Sequence, residues 1–140
     1  MELVKPEFHE KGWGSELWLA NNEVYCVKQM IINPGKKCSI HYHKIKEERF
    51  VVMKGSLRLL LFPNIGIKSF EHLATVMEPS KLEKGLLRYA EELILKPGDS
   101  HHLHNMLPHQ FYGLGEEPTI FIEISTTHKE EDSYRIVKGD

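Results

Sequence analysis

The chain has 140 residues, 41% of them hydrophobic, with 18 Lys and Arg against 20 Asp and Glu for a net charge of −2. One domain spanning residues 1–140 is expected, able to bury roughly two thirds of its unfolded surface, and the apolar content excludes a disordered chain. Near-balanced charge excludes the basic footprint of a nucleic-acid or anionic-membrane binder, leaving a small molecule or another protein as the expected partner.

In chain order, the N-terminal MELVKPEFHEKG is charged where a signal peptide is apolar. Apolar runs such as Leu59 to Phe62 are far shorter than the roughly 18 residues of a membrane span. A soluble cytoplasmic protein is therefore expected. Runs rich in Val, Ile, Leu and Phe predict strands over Glu23–Ile32, Cys38–His43, Arg49–Lys54, Ser56–Phe62, Glu92–Leu95, Gln110–Leu114 and Thr119–Ile124. Turn signals separate most of them, among them Asn33-Pro34-Gly35, Lys54-Gly55, Pro97-Gly98-Asp99 and Gly115-Glu116-Glu117-Pro118. Short strands at this spacing predict an all-β barrel or sandwich. Pro63 to Glu91 lacks alternation: Ser80-Lys-Leu-Glu resembles a capping box and predicts a short helix over Lys81–Glu92, with a long hairpin as the alternative. Cys26 and Cys38 have no metal-ligand spacing and are expected as buried free thiols.

Nine histidines stand out, five of them in two tight groups. In PGKKCSIHYHKIKEERFVVMKG, His41 and His43 are one residue apart, so on a strand both imidazoles face the same way. Glu48 opens the next predicted strand on the face shared by Phe50 and Val52, where its carboxylate can complete a three-ligand arc. A fourth ligand must come from PGDSHHLHNMLPHQF, which offers His101, His102, His104 and His109. Three imidazoles and a carboxylate suit Zn, Fe, Mn, Ni or Cu. Glu123, a lone carboxylate in the apolar run Thr119–Ile124, is the candidate base, because burying it without a partner is costly. Alternation alone leaves open whether it faces inward.

The full spacing narrows this further. Gly35, five residues, His41-Tyr42-His43, four residues, Glu48, six residues and Gly55 resemble the first motif of the cupin superfamily, and LKPGDS followed by Leu107-Pro108-His109 resembles the second. The chain departs from that pattern at His104-Asn105-Met106, where cupins usually read Pro-Pro-Gly. KGWGSE, SIHYH, LKPGDS, LPHQF, GEEPTIFIEIS and EEDSYRI, in that order, are similar to the cupin domain of type II phosphomannose isomerases and to D-lyxose and related sugar isomerases. The phosphomannose enzymes often carry Gln at the place of His41, so the three-histidine variant is the nearer match.

The resemblance implies a cupin jelly-roll barrel and a divalent metal held by His41, His43, Glu48 and His109, with His104 the alternative fourth ligand. It implies a sugar or sugar-phosphate isomerase or epimerase, a homodimer, and a substrate-oxygen role for Arg135, with Asp132 beside it. A metal with two free positions can chelate a sugar's carbonyl and hydroxyl oxygens while a base moves a proton between adjacent carbons. Two alternatives share this ligand set: a cupin dioxygenase, and a non-catalytic carbohydrate- or metabolite-binding cupin. By strand parity Lys37 is expected to share the face of His41 and reach the cavity mouth. His101 and His102 are expected as supporting, entrance or surface groups, and Trp13 and Trp18 as packing residues.

Overall fold

The computed structural model describes residues 3–140. A hairpin of β1 (Glu7–Lys11) and β2 (Gly14–Asn21) leads into β3 (Cys26–Ile32), β4 (Ile40–Tyr42), β5 (Glu48–Lys54) and β6 (Ser56–Leu61). Two helices, α1 (Ile67–Val76) and α2 (Pro79–Leu86), precede β7 (Glu91–Leu95) and β8 (Ser100–Leu103). The chain then forms β9 (His109–Leu114), β10 (Thr119–Ser125) and β11 (Tyr134–Val137). The strands make a six-stranded sheet in the order β1-β2-β3-β10-β5-β8 and a five-stranded sheet in the order β11-β4-β9-β6-β7. This is the expected all-β jelly roll. Among the described residues no helix is long and apolar enough to cross a membrane.

Period-two burial shows why these segments are strands. Along β3, Cys26, Lys28, Met30 and Ile32 are buried and Val27, Gln29 and Ile31 are partly exposed. The inward residues of both sheets, including Met30, Phe50, Leu59, Phe111 and Phe121, form one core. Ile40, Leu60 and Phe62 point out of the five-stranded sheet and pack under Phe70 of α1 and Leu82 and Leu86 of α2. Burial of Phe70 alone contributes on the order of 2–3 kcal/mol, so the helices are anchored as a layer on that sheet.

Several expectations change. The third strand begins at Cys26 rather than Glu23, because the Asn22 side chain accepts the N–H groups of Val24 (2.9 Å) and Tyr25 (3.0 Å) and holds a turn there. The hairpin of β1 and β2 and the strand β11 were not expected. The segment between β6 and β7 holds two helices rather than one helix over Lys81–Glu92 or a hairpin. Ser80 lies inside α2 and caps nothing: Glu78 is the N-cap residue and Pro79 starts the helix. Cys38 and Cys26 are free and buried as expected. Cys38 lies outside β4, however, which covers only Ile40–Tyr42. Parity is therefore not continuous from residue 37 to 41, and Lys37 turns to Glu83 of α2, Nζ to Oε1 2.6 Å.

Candidate functional site

His41 on β4 is the cross-strand partner of His109 on β9, with ring centroids 4.4 Å apart. His43 follows β4 on the same face, and Glu48 opens β5 pointing into the barrel, 3% exposed. Each imidazole is oriented by the backbone. The Nδ1–H groups of His41, His43 and His109 donate to the carbonyls of Ser39 (2.9 Å), Asp132 (3.0 Å) and Leu107 (2.8 Å). A carbonyl only accepts, so Nδ1 carries the proton and Nε2 presents a lone pair.

Ligand atoms of the three histidines lie within 4.8 Å of one another, in an arrangement that can hold a metal ion. The buried Nε2 atoms of His43 and His109 have no hydrogen-bond partner. They face the Glu48 carboxylate at 3.3 and 3.2 Å. Lone pairs opposed to carboxylate oxygens at that range call for a cation between them, and backbone carbonyls fixing the far ring nitrogens are the usual support of a metal-binding imidazole. The residues present therefore fit a divalent ion. Burial and the neighbouring imidazoles hold His41 well below the ordinary histidine range. Burial opposes ionisation of Glu48, but the adjoining His109 and His43 and the charge of Lys46 outweigh it and hold that carboxyl well below its ordinary value.

Beside this cluster runs a buried chain of charges. Lys46 Nζ donates to Glu123 Oε2 (3.1 Å) and to His128 Nδ1 (3.2 Å), and lies 3.3 Å from Glu48 Oε1. Its three N–H groups thus have three acceptors, and Glu123 and Glu48 keep it protonated despite burial. Lys28 lies 3.8 Å from Glu123 and 3.4 Å from Glu16, whose carboxylate also accepts from the Trp18 indole at 2.8 Å. Glu16, Glu48 and Glu123 against Lys28 and Lys46 leave one net negative charge in a buried site, an excess that suits an added cation. Glu123 is shifted upward, by burial first and by the Glu48 charge, with Lys46 and Lys28 opposing. A carboxyl raised in this way is better matched to proton transfer near neutrality.

Asp132 fixes the loop that carries these groups. Its carboxylate accepts the backbone N–H groups of Lys44 (2.9 Å), Ile45 (3.2 Å) and Lys46 (2.9 Å), and its own carbonyl orients His43. His41, His43, Glu48, Lys46 and Glu123 border a cavity of about 620 Å³ that is also lined by Trp13, Met30 and Phe111, by Ala74 of α1, by Met77 just after it and by Leu82 of α2.

Of the sequence candidates, His41, His43, Glu48 and His109 come together, and Glu123 faces inward, 4% exposed. Arg135 lies at the cavity rim, its Nη2 donating to Glu130 at 2.8 Å. The alternative ligand His104 stands outside, exposed, with Nδ1 bonded to the Asn105 carbonyl. His102 is on the surface, 2.7 Å from Glu47. Trp13 packs in the core as expected. Trp18 lies between His9 and His128, with Lys28 over its ring at 4.4 Å. Sequence reasoning missed Lys46, Lys28, Glu16 and His128. Lys46 carried one signal, its position between the HxH pair and Glu48.

Solved structures resemble the chain over most of its length. It is 15% identical to the capsular polysaccharide assembling protein CapF of Staphylococcus aureus, at a TM-score of 0.71, covering 96% of this chain and 35% of that one. A sugar phosphate isomerase of the cupin superfamily from Silicibacter pomeroyi is 21% identical at a TM-score of 0.57, with 81% of this chain and 59% of that one covered. The oxalate decarboxylase of Bacillus subtilis, described for its Mn(II) centres, is 17% identical at a TM-score of 0.66, covering 94% and 30%. The chain thus spans about a third of CapF, and likenesses at these identities establish the cupin fold. No curated protein matches the chain in sequence. The profile of one family, D-lyxose isomerase, matches residues 13–137 and so takes in every strand from β2 to β11 together with the histidine cluster and the charged chain beside it: the protein belongs to the D-lyxose isomerase family.

Proposed function

We propose that the chain is a metal-dependent sugar isomerase, with His41, His43, Glu48 and His109 as metal ligands and Glu123 as the base. The carrying observation is the juxtaposition of three backbone-oriented imidazoles and one carboxylate with a second, separately buried carboxylate across Lys46. Family membership supports an aldose–ketose reaction on a small sugar, and the cavity of about 620 Å³ suits a monosaccharide. A divalent cation in this ligand set supplies Lewis-acid polarisation of the sugar carbonyl and its neighbouring hydroxyl.

The remaining work falls to the chain's own side chains. Glu123 takes the proton from the carbon beside the carbonyl and returns it to the carbonyl carbon, while the proton of the neighbouring hydroxyl passes to the former carbonyl oxygen, so that the sugar's atoms balance. Lys46 holds that carboxylate in place through Nζ and keeps the protons it carries, since Glu48 and Glu123 flank it. Arg135 at the rim meets the sugar's outer oxygens. The apolar wall of Trp13, Met30 and Phe111 limits water around the reacting carbons.

The test is metal analysis of purified protein together with conversion of D-lyxose and other aldoses to their ketoses. Near-stoichiometric divalent metal and turnover are expected, with Glu123→Gln lowering kcat by about 10²–10⁴-fold while metal stays bound. Full activity in that variant removes Glu123 as the base. Oxygen uptake without ketose formation replaces the isomerase by a dioxygenase, and bound sugar without any turnover replaces it by a binding protein.

A further inference from the structure

Lys46 Nζ touches both carboxylates of the site, Glu123 Oε2 at 3.1 Å and Glu48 Oε1 at 3.3 Å. With those two acceptors alone, the ammonium is free to lean toward either one, and its grip on Glu123 is loose. A third acceptor fixes it. The loop after β10 supplies one that the isomerisation itself leaves unused, Nδ1 of His128 at 3.2 Å.

We propose that His128 is a positioning residue: it aims Lys46, and through Lys46 it aims Glu123, while Glu130 sets the imidazole tautomer that makes this possible. The inference rests on the reading of Glu123 as the base.

Hydrogen-bond polarity fixes the tautomer. A lysine ammonium only donates, so Nδ1 of His128 carries the lone pair and Nε2 the proton. That Nε2–H points to Glu130 Oε2 at 3.3 Å, and the other oxygen of the same carboxylate accepts from Arg135 Nη2 at 2.8 Å. His41, His43 and His109 have the opposite tautomer, because their Nδ1–H groups donate to backbone carbonyls. One hydrogen-bonded line therefore runs from Arg135 through Glu130, His128 and Lys46 to Glu123, from the cavity rim to the buried base, and every donor in it meets an acceptor.

The imidazole is held in place on all sides. Its side chain is 7% exposed. The Asn21 amide clamps its backbone, accepting the His128 N–H at 3.0 Å and donating to the His128 carbonyl at 3.2 Å. Trp18 meets its ring nearly at right angles, with centroids 5.1 Å apart. Charge explains why the third acceptor is an imidazole. A further carboxylate there would draw Lys46 away from Glu123, and a cation would repel it. Burial, with Lys46 and Lys28 adding to it, keeps the His128 ring uncharged near neutral pH.

NMR of the purified protein with labelled lysine and histidine nitrogens, combined with kinetics on D-lyxose, tests the proposal. Near neutral pH His128 is expected as the Nε2–H tautomer. The Lys46 ammonium is expected as a resolved signal in slow exchange with water, since all its protons are bonded. His128→Leu should speed that exchange at least about 10-fold. It should also lower kcat about 10–100-fold, with KM changed by less than about 2-fold and metal content unchanged. His128→Asn, which keeps an acceptor near the place of Nδ1, should recover most of both losses. Glu130→Ala should mix the His128 tautomers and lower kcat by about 2–5-fold, and this surface variant keeps the test open should His128→Leu not fold. A protonated Nδ1 at His128, or ammonium exchange and kcat that His128→Leu leaves unchanged, overturns the proposal. A wild type that converts no aldose overturns the isomerase reading instead, and the two NMR results then decide alone whether His128 holds Lys46.

Discussion

The same four strands build two unlike ends of one barrel. Moving along their inward faces, β3 passes from Lys28 to Met30 and Ile32, β5 from Glu48 to Phe50 and Val52, β9 from His109 to Phe111, and β10 from Glu123 to Phe121. At one end Phe50, Phe111 and Phe121 pack with centroids 5.0 to 6.1 Å apart. At the other, two lysines, three glutamates and three histidines share a buried site. The pairing register holds the ends together, because Glu123 lies opposite both Lys28 and Phe50. The aromatic end supplies the burial energy that lets the strands hold so many desolvated charges in fixed positions, and the charged end is where chemistry is possible.

The sharpest way to separate the two ends is to damage the aromatic one. Phe121 is fully buried between Phe50 and Phe111, so Phe121→Ala should lower unfolding free energy by about 4 kcal/mol in urea denaturation. Metal affinity of the fraction that remains folded should be unchanged, because the lost ring packs on Phe50 and Phe111 rather than on a histidine ring of the cluster. A comparable loss of affinity would mean that the two ends are not separable.

The charged end should respond in the opposite manner. A divalent ion at 100 times its dissociation constant stabilises a protein that binds it only when folded by about 2.7 kcal/mol. Thermal unfolding of wild type with and without added Mn²⁺, and with a chelator, should show that gap. His43→Ala, lacking one of the proposed ligands, should show none of it.

Acid reaches the same end through His128, which accepts from Lys46 at Nδ1 and lies 3.3 Å from Glu130 at Nε2. Burial, with Lys46 and Lys28 adding to it, pushes this imidazole down to about 4 from an ordinary value of 6.5. The folded state therefore favours neutral His128. Its contribution is complete above pH 6.5 and is lost as pH falls toward 4, where the unfolded chain binds the extra proton, at up to about 1.4 kcal/mol per pH unit. In a urea series between those pH values, His128→Asn should flatten the slope by that amount, and identical slopes would show that His128 is not the group titrating.

The two ends also differed in how much of them the sequence carried. The clustering of the three histidines with Glu48 was legible because it rests on short-range rules: one intervening residue places His41 and His43 on one face, and the spacing to Glu48, Gly55 and His109 follows a family pattern. Lys46 and Glu123 become partners only through the β5–β10 pairing, 77 residues apart in the chain, and buried lysines such as Lys28 and Lys46 contradict what a lysine usually does. Parity failed for Lys37 because the chain leaves the strand before Ile40. The hairpin of β1 and β2 was hidden by Gly12 and Gly14, which break the apolar pattern, and α1 has neither a capping side chain nor acidic residues in its first turn to announce it. The bare outer face of the six-stranded sheet was present in the sequence as Ile120, Ile122 and Ile124, but only the structure assigns Phe121 and Glu123 to the inside.

The smallest effect comes from the one place where the chain departs from the cupin pattern. Residues 104–106 read His-Asn-Met in place of Pro-Pro-Gly, so Met106 stands where the pattern has glycine. Its φ is 65°, the only positive value for a non-glycine among the described residues. The turn requires that conformation, because the Met106 N–H donates to the His43 carbonyl at 2.6 Å and so ties the approach to His109 to the segment carrying the other two imidazoles. A side chain held there costs about 1 kcal/mol. Met106 is 41% exposed, so few packing contacts repay that cost. Met106→Gly should therefore stabilise the protein by up to about 1 kcal/mol, less what the freer glycine adds to the unfolded state, as measured by urea unfolding. Metal affinity should stay the same, because the hydrogen bond to His43 uses the backbone. Destabilisation instead would mean that the Met106 side chain holds the turn, and that the charged end of the barrel depends on a contact the family pattern does not contain.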